Sequence, residues 1–486
     1  MKSKWMVIGA IAGMLGIVTW VSTWAEEDQR RVHQHLQTKK QKNCEHNEKE
    51  FCTHLPIVSI DTGGQTIHIG RVGKGQYSYQ KSSEIVGQVE VIDNIMSYNH
   101  LKDEEVFKTK AKIHYRGNTS LKFDKKSYKI EFIQEDLTKN DQEDLLGMGN
   151  NSEWVLNGPF LDKTLIRNYM CMNIAGEIMK DTPDVRFCEV FIDGQYRGVY
   201  VAMENVTRSP ERVNITPYKE GDTFTSYIIR ADRKRMVQEE LNNFTHYANR
   251  MHKNTAIEII YPEAVKNHPD LKQYIEEDFS KFEKALYSLD YDDRDYGYRK
   301  YIDIESFVDY FIINEFFKSS DAGIFSTYFY KDVRGKLHIG PVWDFNNAAD
   351  NFIAAKVGTH GMEMVNRSWY FMLMKDEEFV ERVIERYDEL RQGWLNEELL
   401  LQYIDDTVSF LGDAIIRNNQ VWGYSFNPEN LNVDNRLMPI ERNITSYEEG
   451  INQLKNFIIR RGKWLDENIH TLRQYAHESK VKKFNY

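Results

Sequence analysis

The sequence predicts an α+β protein with a β-rich first half and a helix-rich second half. Runs that alternate between apolar and polar residues recur through the first half, and apolar residues at helical spacing dominate the second. A strong hairpin signal, Asp193-Gly194, falls between two of the alternating runs. We expect a β-rich lobe over about 55–262, a helical lobe over about 263–486, and a ligand-binding cleft between them.

Strands are predicted wherever apolar and polar residues alternate. The clearest pair covers 186–192 and 196–204, with Asp193-Gly194 as the connecting turn. A further strand begins at Ile57, and others are predicted over 66–69, 87–92, 110–115, 127–133, 226–230 and 256–261. One helix, over 163–179, interrupts this half.

The second half contains predicted helices and one inserted hairpin. The helices cover 268–288, 303–318, 376–392, 395–417 and 447–475. The hairpin strands are predicted over 325–330 and 336–343. Asp321 should therefore follow the C-terminus of a helix, and Asp344, which is 23 positions further on, should end a strand.

Two acids at such element ends can hold a metal ion and a proton acceptor on one side of a cleft. Asp321 and Asp344 could equally be turn residues without a chemical role. Paired carboxylates are also the basic requirement of a glycosidase, although their separation in space does not follow from the sequence.

The composition and the N-terminus indicate where the protein works. A net charge of −11 over 486 residues argues against a general nucleic-acid binder, which needs a basic surface. Lys2 and Lys4 precede 21 uncharged residues, 5–25, whose length favours an uncleaved membrane anchor over a cleaved signal peptide. We expect this anchor or signal over 1–25, a polar stalk over 26–54, and an extracytoplasmic domain over 55–486, secreted if the segment is cleaved.

Export allows disulfide bonds, and the four cysteines allow three pairings. Cys44 and Cys52 flank a short charged segment and form the favoured pair, because a small loop closes at low entropic cost. Cys171 and Cys188 lie in apolar patterns and could instead be buried thiols.

Several polar residues of the first half are candidate ligand contacts. A glycine turn, 115–120, precedes the lysines Lys122, Lys125, Lys126 and Lys129, and backbone N–H groups beside basic side chains suit a phosphate. The alternative is a hairpin turn with lysines on a solvated face. Arg167, in the predicted helix, could reach a phosphate or pair with an acid, and Glu204 could accept hydrogen bonds from a ligand or be an exposed strand end.

An ordered set of blocks resembles the spore-coat protein H (CotH) kinase family of exported bacterial proteins. The blocks are Arg116-Gly117-Asn118-Thr119-Ser120, Lys125-Lys126-Ser127-Tyr128-Lys129, Trp154-Val155-Leu156, Asp162, Arg167-Asn168, 190–200 (VFIDGQYRGVY), Glu204, Ile260-Tyr261-Pro262-Glu263, Asn314, Asp321 and Trp343-Asp344-Phe345-Asn346. They run in family order across roughly 105–350.

The resemblance implies an atypical two-lobed protein kinase-like fold that binds ATP and a divalent cation, Mg²⁺ or alternatively Mn²⁺ or Ca²⁺. In the family the acid matching Asp344 is a metal ligand, and the acid matching Asp321 orients or deprotonates the acceptor hydroxyl. The resemblance also implies phosphate or nucleotide contacts by Arg116, Asn118, Lys126, Lys129 and Arg167, and a position for Glu204 near the base. Ser326 and Thr327 stand where relatives often have a metal-binding asparagine, so Asn346 or Asn347 is the candidate for that role.

The sequence thus predicts an exported protein kinase that moves the γ-phosphoryl group of ATP to Ser or Thr of extracytoplasmic proteins. Two alternatives stay open: a catalytically silent structural or surface-assembly protein with the same fold, and an enzyme that transfers AMP from ATP. Association with the spore coat is a trait of the family, and no residue of this sequence indicates it by itself.

Overall fold

The computed structural model describes residues 31–42, 50–73, 78–136, 140–237 and 240–476. The predicted membrane segment, 1–25, lies outside these residues, and within them no helix is long and apolar enough to cross a membrane. Most of the strands lie in the region up to Tyr261, and the long helices follow it, which confirms the α+β prediction.

Seventeen strands occur in the described part of the chain, and in chain order they are β1 Cys52–Thr53, β2 Ile57–Asp61, β3 Ile69–Val72, β4 Tyr79–Ser82, β5 Glu84–Ile92, β6 Asn99–His100, β7 Phe107–Tyr115, β8 Tyr128–Ile133, β9 Glu143–Asp144, β10 Asn150–Asn151, β11 Glu153–Asn157, β12 Val185–Ile192, β13 Gln195–Glu204, β14 Tyr227–Arg233, β15 Thr255–Tyr261, β16 Thr327–Lys331 and β17 Leu337–Ile339. The α-helices are α1 Arg167–Gly176, α2 Phe244–Tyr247, α3 Pro269–Leu286, α4 Ile304–Phe316, α5 Tyr370–Leu373, α6 Glu377–Arg391, α7 Glu397–Leu411, α8 Asp413–Trp422, α9 Tyr447–Asn468 and α10 Arg473–Ala476.

Seven strands close into a barrel in the order β11–β13–β12–β2–β5–β7–β8, and β8 pairs back to β11. Only β12 and β2 run parallel; the other barrel neighbours are antiparallel. Alternate residues point into the barrel, where Trp154, Ile130 and Val190 are fully buried. The outer face of β11, β12 and β13 is buried as well, because α1 and the helical half pack against it.

A second sheet follows the barrel in the order β15–β14–β16–β17. Its apolar face packs on α3 and α4, for example through the rings of Phe279 and Phe329, whose centroids are 5.4 Å apart. The connection 205–208 joins the last barrel strand to this region, so the barrel end and the second sheet face one another across it.

Several predicted elements are confirmed. The hairpin β12–β13 turns at Asp193-Gly194, where both residues have positive φ, 48° and 72°, as a tight two-residue turn requires. Cys52 is disulfide-bonded and Cys171 and Cys188 are buried free thiols, whereas Cys44 lies outside the described residues.

Within the predicted stalk, Gln34 is buried, and its side chain forms hydrogen bonds with the backbone of Phe187 in the barrel.

Three predicted elements are wrong in extent. The strand expected over 66–69 lies at Ile69–Val72. The helix expected over 395–417 is two helices, because Gly412 adopts a φ of 45° that a continuing helix cannot accommodate. The strand expected to end at Asp344 ends at Ile339, since Pro341 lacks the N–H that would extend the ladder.

Candidate active site

A cavity of about 1100 Å³ lies between one end of the barrel and the second sheet. Its barrel wall includes His114, Arg116, Asn118, Lys129, Glu153 and Val155, and its opposite wall includes Arg230, Asp232, Arg233, Glu258, Tyr328, Trp343 and Asp344. The connection 205–208, strand β4 with the residues after it (79–84), and Ile259 and Ile260 also line the cavity. A polar, strongly charged cavity with a small apolar region is suited to a charged ligand that carries a ring system.

The barrel wall carries a lysine–glutamate pair. Lys129 Nζ lies 2.9 Å from Glu153 Oε2, and Asn205 Nδ2 donates to the same oxygen at 2.6 Å. Burial raises the pKa of Glu153, but Lys129 and Asn205 outweigh it, so this pKa lies below its ordinary value and the carboxylate stays ionised. Glu153 thereby holds Lys129 in place at the cavity surface.

Two further basic residues flank that pair. Burial and the cations Lys129 and Arg116 lower the pKa of His114 to about 4, so His114 is neutral at physiological pH. The Arg116 guanidinium lies 5.3 Å from the ring centroid of Trp343. Burial lowers the pKa of Arg116, and the carboxylate of Asp344 acts in the opposite direction. Asp344 is therefore close enough to Arg116 to stabilise its positive charge.

Asp321 is a largely buried acid close to this wall. Its Oδ2 lies 3.2 Å from Arg233 Nη2, and its side chain is 14% exposed. Burial raises the pKa of Asp321, Arg233 lowers it, and Asp344 raises it again. Asp321 does not itself line the cavity, but it lies close enough to Asp344 for that carboxylate to raise its pKa, and it pairs with Arg233, which does line the cavity.

Asp344 is held in a left-handed turn, with φ 63° and ψ 73°. The next residue, Phe345, donates its backbone N–H to Asn168 Oδ1 at 2.9 Å, so helix α1 fixes this turn from behind. Asn346 Nδ2 donates to Asp344 Oδ1 at 2.7 Å. The Oδ1 of Asn346 is buried and has no hydrogen-bond partner among the described residues.

Besides Asp321 and Asn346, three further candidates lie outside the cavity lining: Lys126, Arg167 and Glu204. Lys126 donates to the carbonyl of Leu121 at 2.8 Å. Arg167 is buried and pairs with Asp162 at 2.6 Å. Their assignment to nucleotide binding stays a prediction.

Glu204 is the third of these residues, and it is buried rather than an exposed strand end. It accepts hydrogen bonds from Arg212 Nε at 3.3 Å and from the backbone N–H of Asp184 at 2.7 Å. The bond from Arg212 ties the last barrel strand to the connection that follows it, and the bond from Asp184 ties it to the start of β12.

The cavity also contains ionisable residues that sequence reasoning missed, namely His114, Glu153, Arg230, Asp232, Arg233 and Glu258. Arg230 forms ion pairs with Glu258 on the neighbouring strand and with Asp232, 3.5 Å away. Charged residues that alternate along a strand usually face solvent. A signal was available in the sequence Arg230-Ala231-Asp232-Arg233, where charge is unusually dense for a strand.

A protein-family model shows which family the chain belongs to. The model of the CotH kinase protein family matches residues 113–465. The chain belongs to the CotH kinase family. No curated protein matches it significantly. The CotH match begins at the end of β7 and contains Arg116, Lys129, Glu153, Asp321 and Asp344, so the cavity lining lies within the matched region except for residues 79–84.

A CotH kinase is expected to use ATP and a divalent metal ion. Among the described residues there is no cluster of three or more His, Cys, Asp and Glu side chains with metal-binding geometry. Asp344 nevertheless provides a carboxylate at the cavity, and Asn346 would add its amide oxygen with the amide turned over, because its Nδ2 now donates to Asp344 Oδ1. Carboxylate and amide oxygens are the ligands that Mg²⁺ prefers. The residues present therefore fit a Mg²⁺ ion that completes its coordination with phosphate oxygens and water.

Proposed function

We propose that this CotH kinase transfers the γ-phosphoryl group of ATP to Ser and Thr hydroxyls of extracytoplasmic proteins. The observation that carries the proposal is the meeting of Arg116, Lys129 and Asp344 at one cavity, with Asp321 in electrostatic contact with Asp344. Phosphoryl transfer requires little of a protein beyond cations on the phosphates, a metal ligand and an acid near the nucleophile.

The cavity offers a place for each part of ATP. Lys129 and Arg116 would bind phosphate oxygens, and the turn at Asn118 lies beside them. The apolar side chains Val155, Val206 and Ile260 also line the cavity and would suit a purine ring. When bound at Asp344 and Asn346, Mg²⁺ would neutralise charge on the phosphates.

Asp321 would accept the proton of the acceptor hydroxyl. Its raised pKa makes it a better base than an exposed aspartate, and the ion pair with Arg233 keeps it ionised and oriented. A base that is both ionised and largely buried is poised for this step, because little water competes for the carboxylate.

The experiment is an intact-mass measurement of the full chain and a mixed protein substrate after incubation with ATP and Mg²⁺ or Mn²⁺. Phosphoryl transfer predicts a gain of ~80 Da, absent in Asp344→Ala. A gain of ~329 Da would instead show transfer of AMP by the same site. If no mass is gained and ATP does not raise the melting temperature, the chain is a structural module and the proposal fails.

The extracytoplasmic location is part of the proposal and rests on Lys2, Lys4 and the uncharged segment 5–25. Protease added outside intact cells should degrade the domain over 55–486, and the full-length mass should stay in the membrane fraction if the segment is an anchor. Protection of the domain from external protease would refute this location.

A further inference from the structure

The backbone that leads to Asp321 is held by a later part of the chain, residues 359–367, which we call the bracing segment. Lys318 has a φ of 52° and donates its Nζ to a backbone carbonyl of this segment at 2.8 Å. Arg367, in the bracing segment, donates to the carbonyl of Ser320 at 3.2 Å. The position of the backbone directly before Asp321 therefore depends on the bracing segment.

The bracing segment is itself held by a buried arginine, Arg461, in helix α9. Its Nη1 donates to the carbonyls of Thr359 and Gly361, both at 2.9 Å. Its Nε and Nη2 donate to the carbonyl of Glu315, in the last turn of α4, at 3.2 and 3.0 Å. The Nη2 also donates to Glu315 Oε1 at 2.7 Å. One fully buried guanidinium thus joins α9, the end of α4 and the bracing segment.

The carboxylate of Glu315 holds the bracing segment as well. It accepts the backbone N–H of Glu363 at 2.8 and 3.1 Å and that of Met364 at 2.7 Å. Hydrogen bonds to an ionised group are roughly twice as strong as those between neutral groups. Arg461 and Glu315 therefore fix the bracing segment through charge-assisted bonds to its backbone.

The turn at Asp344 meets this network at its edge but has its own support. Ala349 donates its backbone N–H to the carbonyl of Phe317 at 2.8 Å. The turn itself is held from behind by Asn168 of helix α1. A loosened bracing segment should therefore displace Asp321 more than the residues proposed to bind ATP and Mg²⁺.

We propose that Arg461 and Glu315 are positioning residues, which hold Asp321 through the bracing segment at the place from which it accepts the proton. The inference rests on the proposed kinase activity, because it concerns the proposed base. A base that moves by about 1 Å costs about 10²-fold in rate. Helix α9, far from Asp321 in the sequence, is therefore part of the apparatus that carries out the reaction.

The test is Arg461→Lys in the full chain. The change keeps the positive charge, but a single ammonium group cannot replace three guanidinium nitrogens in fixed geometry. We expect kcat to fall about 10- to 100-fold while KM for ATP stays nearly unchanged. Arg417→Lys is the matched control, because Arg417 joins helix α8 to the buried Glu189 of the barrel at 2.8 Å, outside the cavity lining, and it should leave kcat unchanged.

Hydrogen exchange of the backbone amides over 317–325, followed by mass spectrometry, measures the same support without an activity assay. Exchange there should be faster in Arg461→Lys than in the original chain and unchanged in Arg417→Lys. Lys318→Met removes one contact with the bracing segment and keeps an unbranched side chain. It should change exchange and kcat in the same direction, and it replaces Arg461→Lys if that variant does not fold.

The two measurements separate this inference from the proposed activity. If the original chain phosphorylates a substrate and Arg461→Lys loses no more kcat than Arg417→Lys, the inference is wrong and the kinase activity stands. A large rise in KM for ATP would show a general disturbance of the site and would also refute the inference. If the original chain phosphorylates no substrate, the proposed activity fails, and exchange decides the rest: faster exchange over 317–325 supports the role of Arg461 in holding Asp321, and unchanged exchange refutes it.

Discussion

Asn168 offers a direct way to test whether helix α1 holds the Asp344 turn in place. In Asn168→Ala the backbone N–H of Phe345 loses its only side-chain acceptor in the described structure, 2.9 Å away. Leaving a buried N–H unsatisfied costs about 1–3 kcal/mol. With an unfolding entropy of roughly 2.1 cal/mol/K per residue, a unit of this size should lose about 1–3 °C in melting temperature.

The larger effect is expected on function, because Asp344 immediately precedes Phe345. A carboxylate displaced by even 1 Å costs about 10²-fold in rate, so we expect kcat to fall about 10- to 100-fold. The rise in melting temperature caused by ATP and Mg²⁺ should shrink, since that rise reports affinity for the folded protein. Both quantities are measurable on the same samples by calorimetry and by a phosphorylation assay.

Asn99→Ala is the matched control. Asn99 is fully buried in strand β6, outside the cavity lining, and its side chain accepts from the backbone N–H of Asn94 at 2.6 Å. Its loss should lower stability by a similar amount and leave kcat unchanged. If Asn168→Ala loses stability but keeps kcat and the ATP response, the turn is held by its own backbone bonds and the reasoning is wrong.

Three further predictions concern the cavity walls. Asp321→Asn should keep ATP affinity but lower kcat by about 10²–10⁴-fold, and a collapse of ATP affinity in equilibrium binding would argue against a role as base. Glu153→Gln should release Lys129 and lower kcat/KM for ATP about tenfold in steady-state kinetics. The control is Glu131→Gln, which breaks the ion pair with Lys112 on the barrel outside the cavity lining and should leave kcat/KM unchanged. Equal effects of the two changes would contradict the role of Lys129 in binding ATP. The pKa of His114 is about 4 in the folded chain, below its ordinary value of 6.5. As the pH drops, the imidazole is therefore protonated first in the unfolded chain, and the free energy of unfolding should decrease between about pH 6.5 and about pH 4. His114→Gln should reduce this pH dependence of the free energy of unfolding, measured by urea titration at several pH values. If the variant and the original chain show the same pH dependence, His114 is not its source.

Local patterns predicted much of the fold. The hairpin at Asp193-Gly194 was predictable because a two-residue turn with positive φ has few compatible sequences. The long helices were predictable from apolar spacing, apart from the break at Gly412, where a single glycine ends one helix and begins the next. Closure of the barrel was not predictable, since it depends on pairing between strands far apart in the chain.

The site was predictable only in part, for a related reason. Asp321 and Asp344 were identified because the sequence placed both at the ends of regular elements, although α4 ends at Phe316 and β17 ends at Ile339. The pairing of Glu204 with Arg212 depends on the course of the connection after β13, which has no periodic pattern. Lys125 is likewise buried, where it donates to Val199 and Asn418, although lysine-rich turns usually face solvent.

The parallel pair β2–β12 has a consequence for how the chain acquires its structure. Ile57 lies opposite Glu189, so one seam of the barrel joins residues separated by most of its length. Such distant pairing slows folding, because the entropy of the intervening loop is lost before the contact forms. A fragment that stops before Val185 would leave β2 with an open edge and no partner on that side, and open edges promote aggregation. We therefore expect soluble, folded pieces of this protein to begin before Ile57 and to extend beyond Glu204.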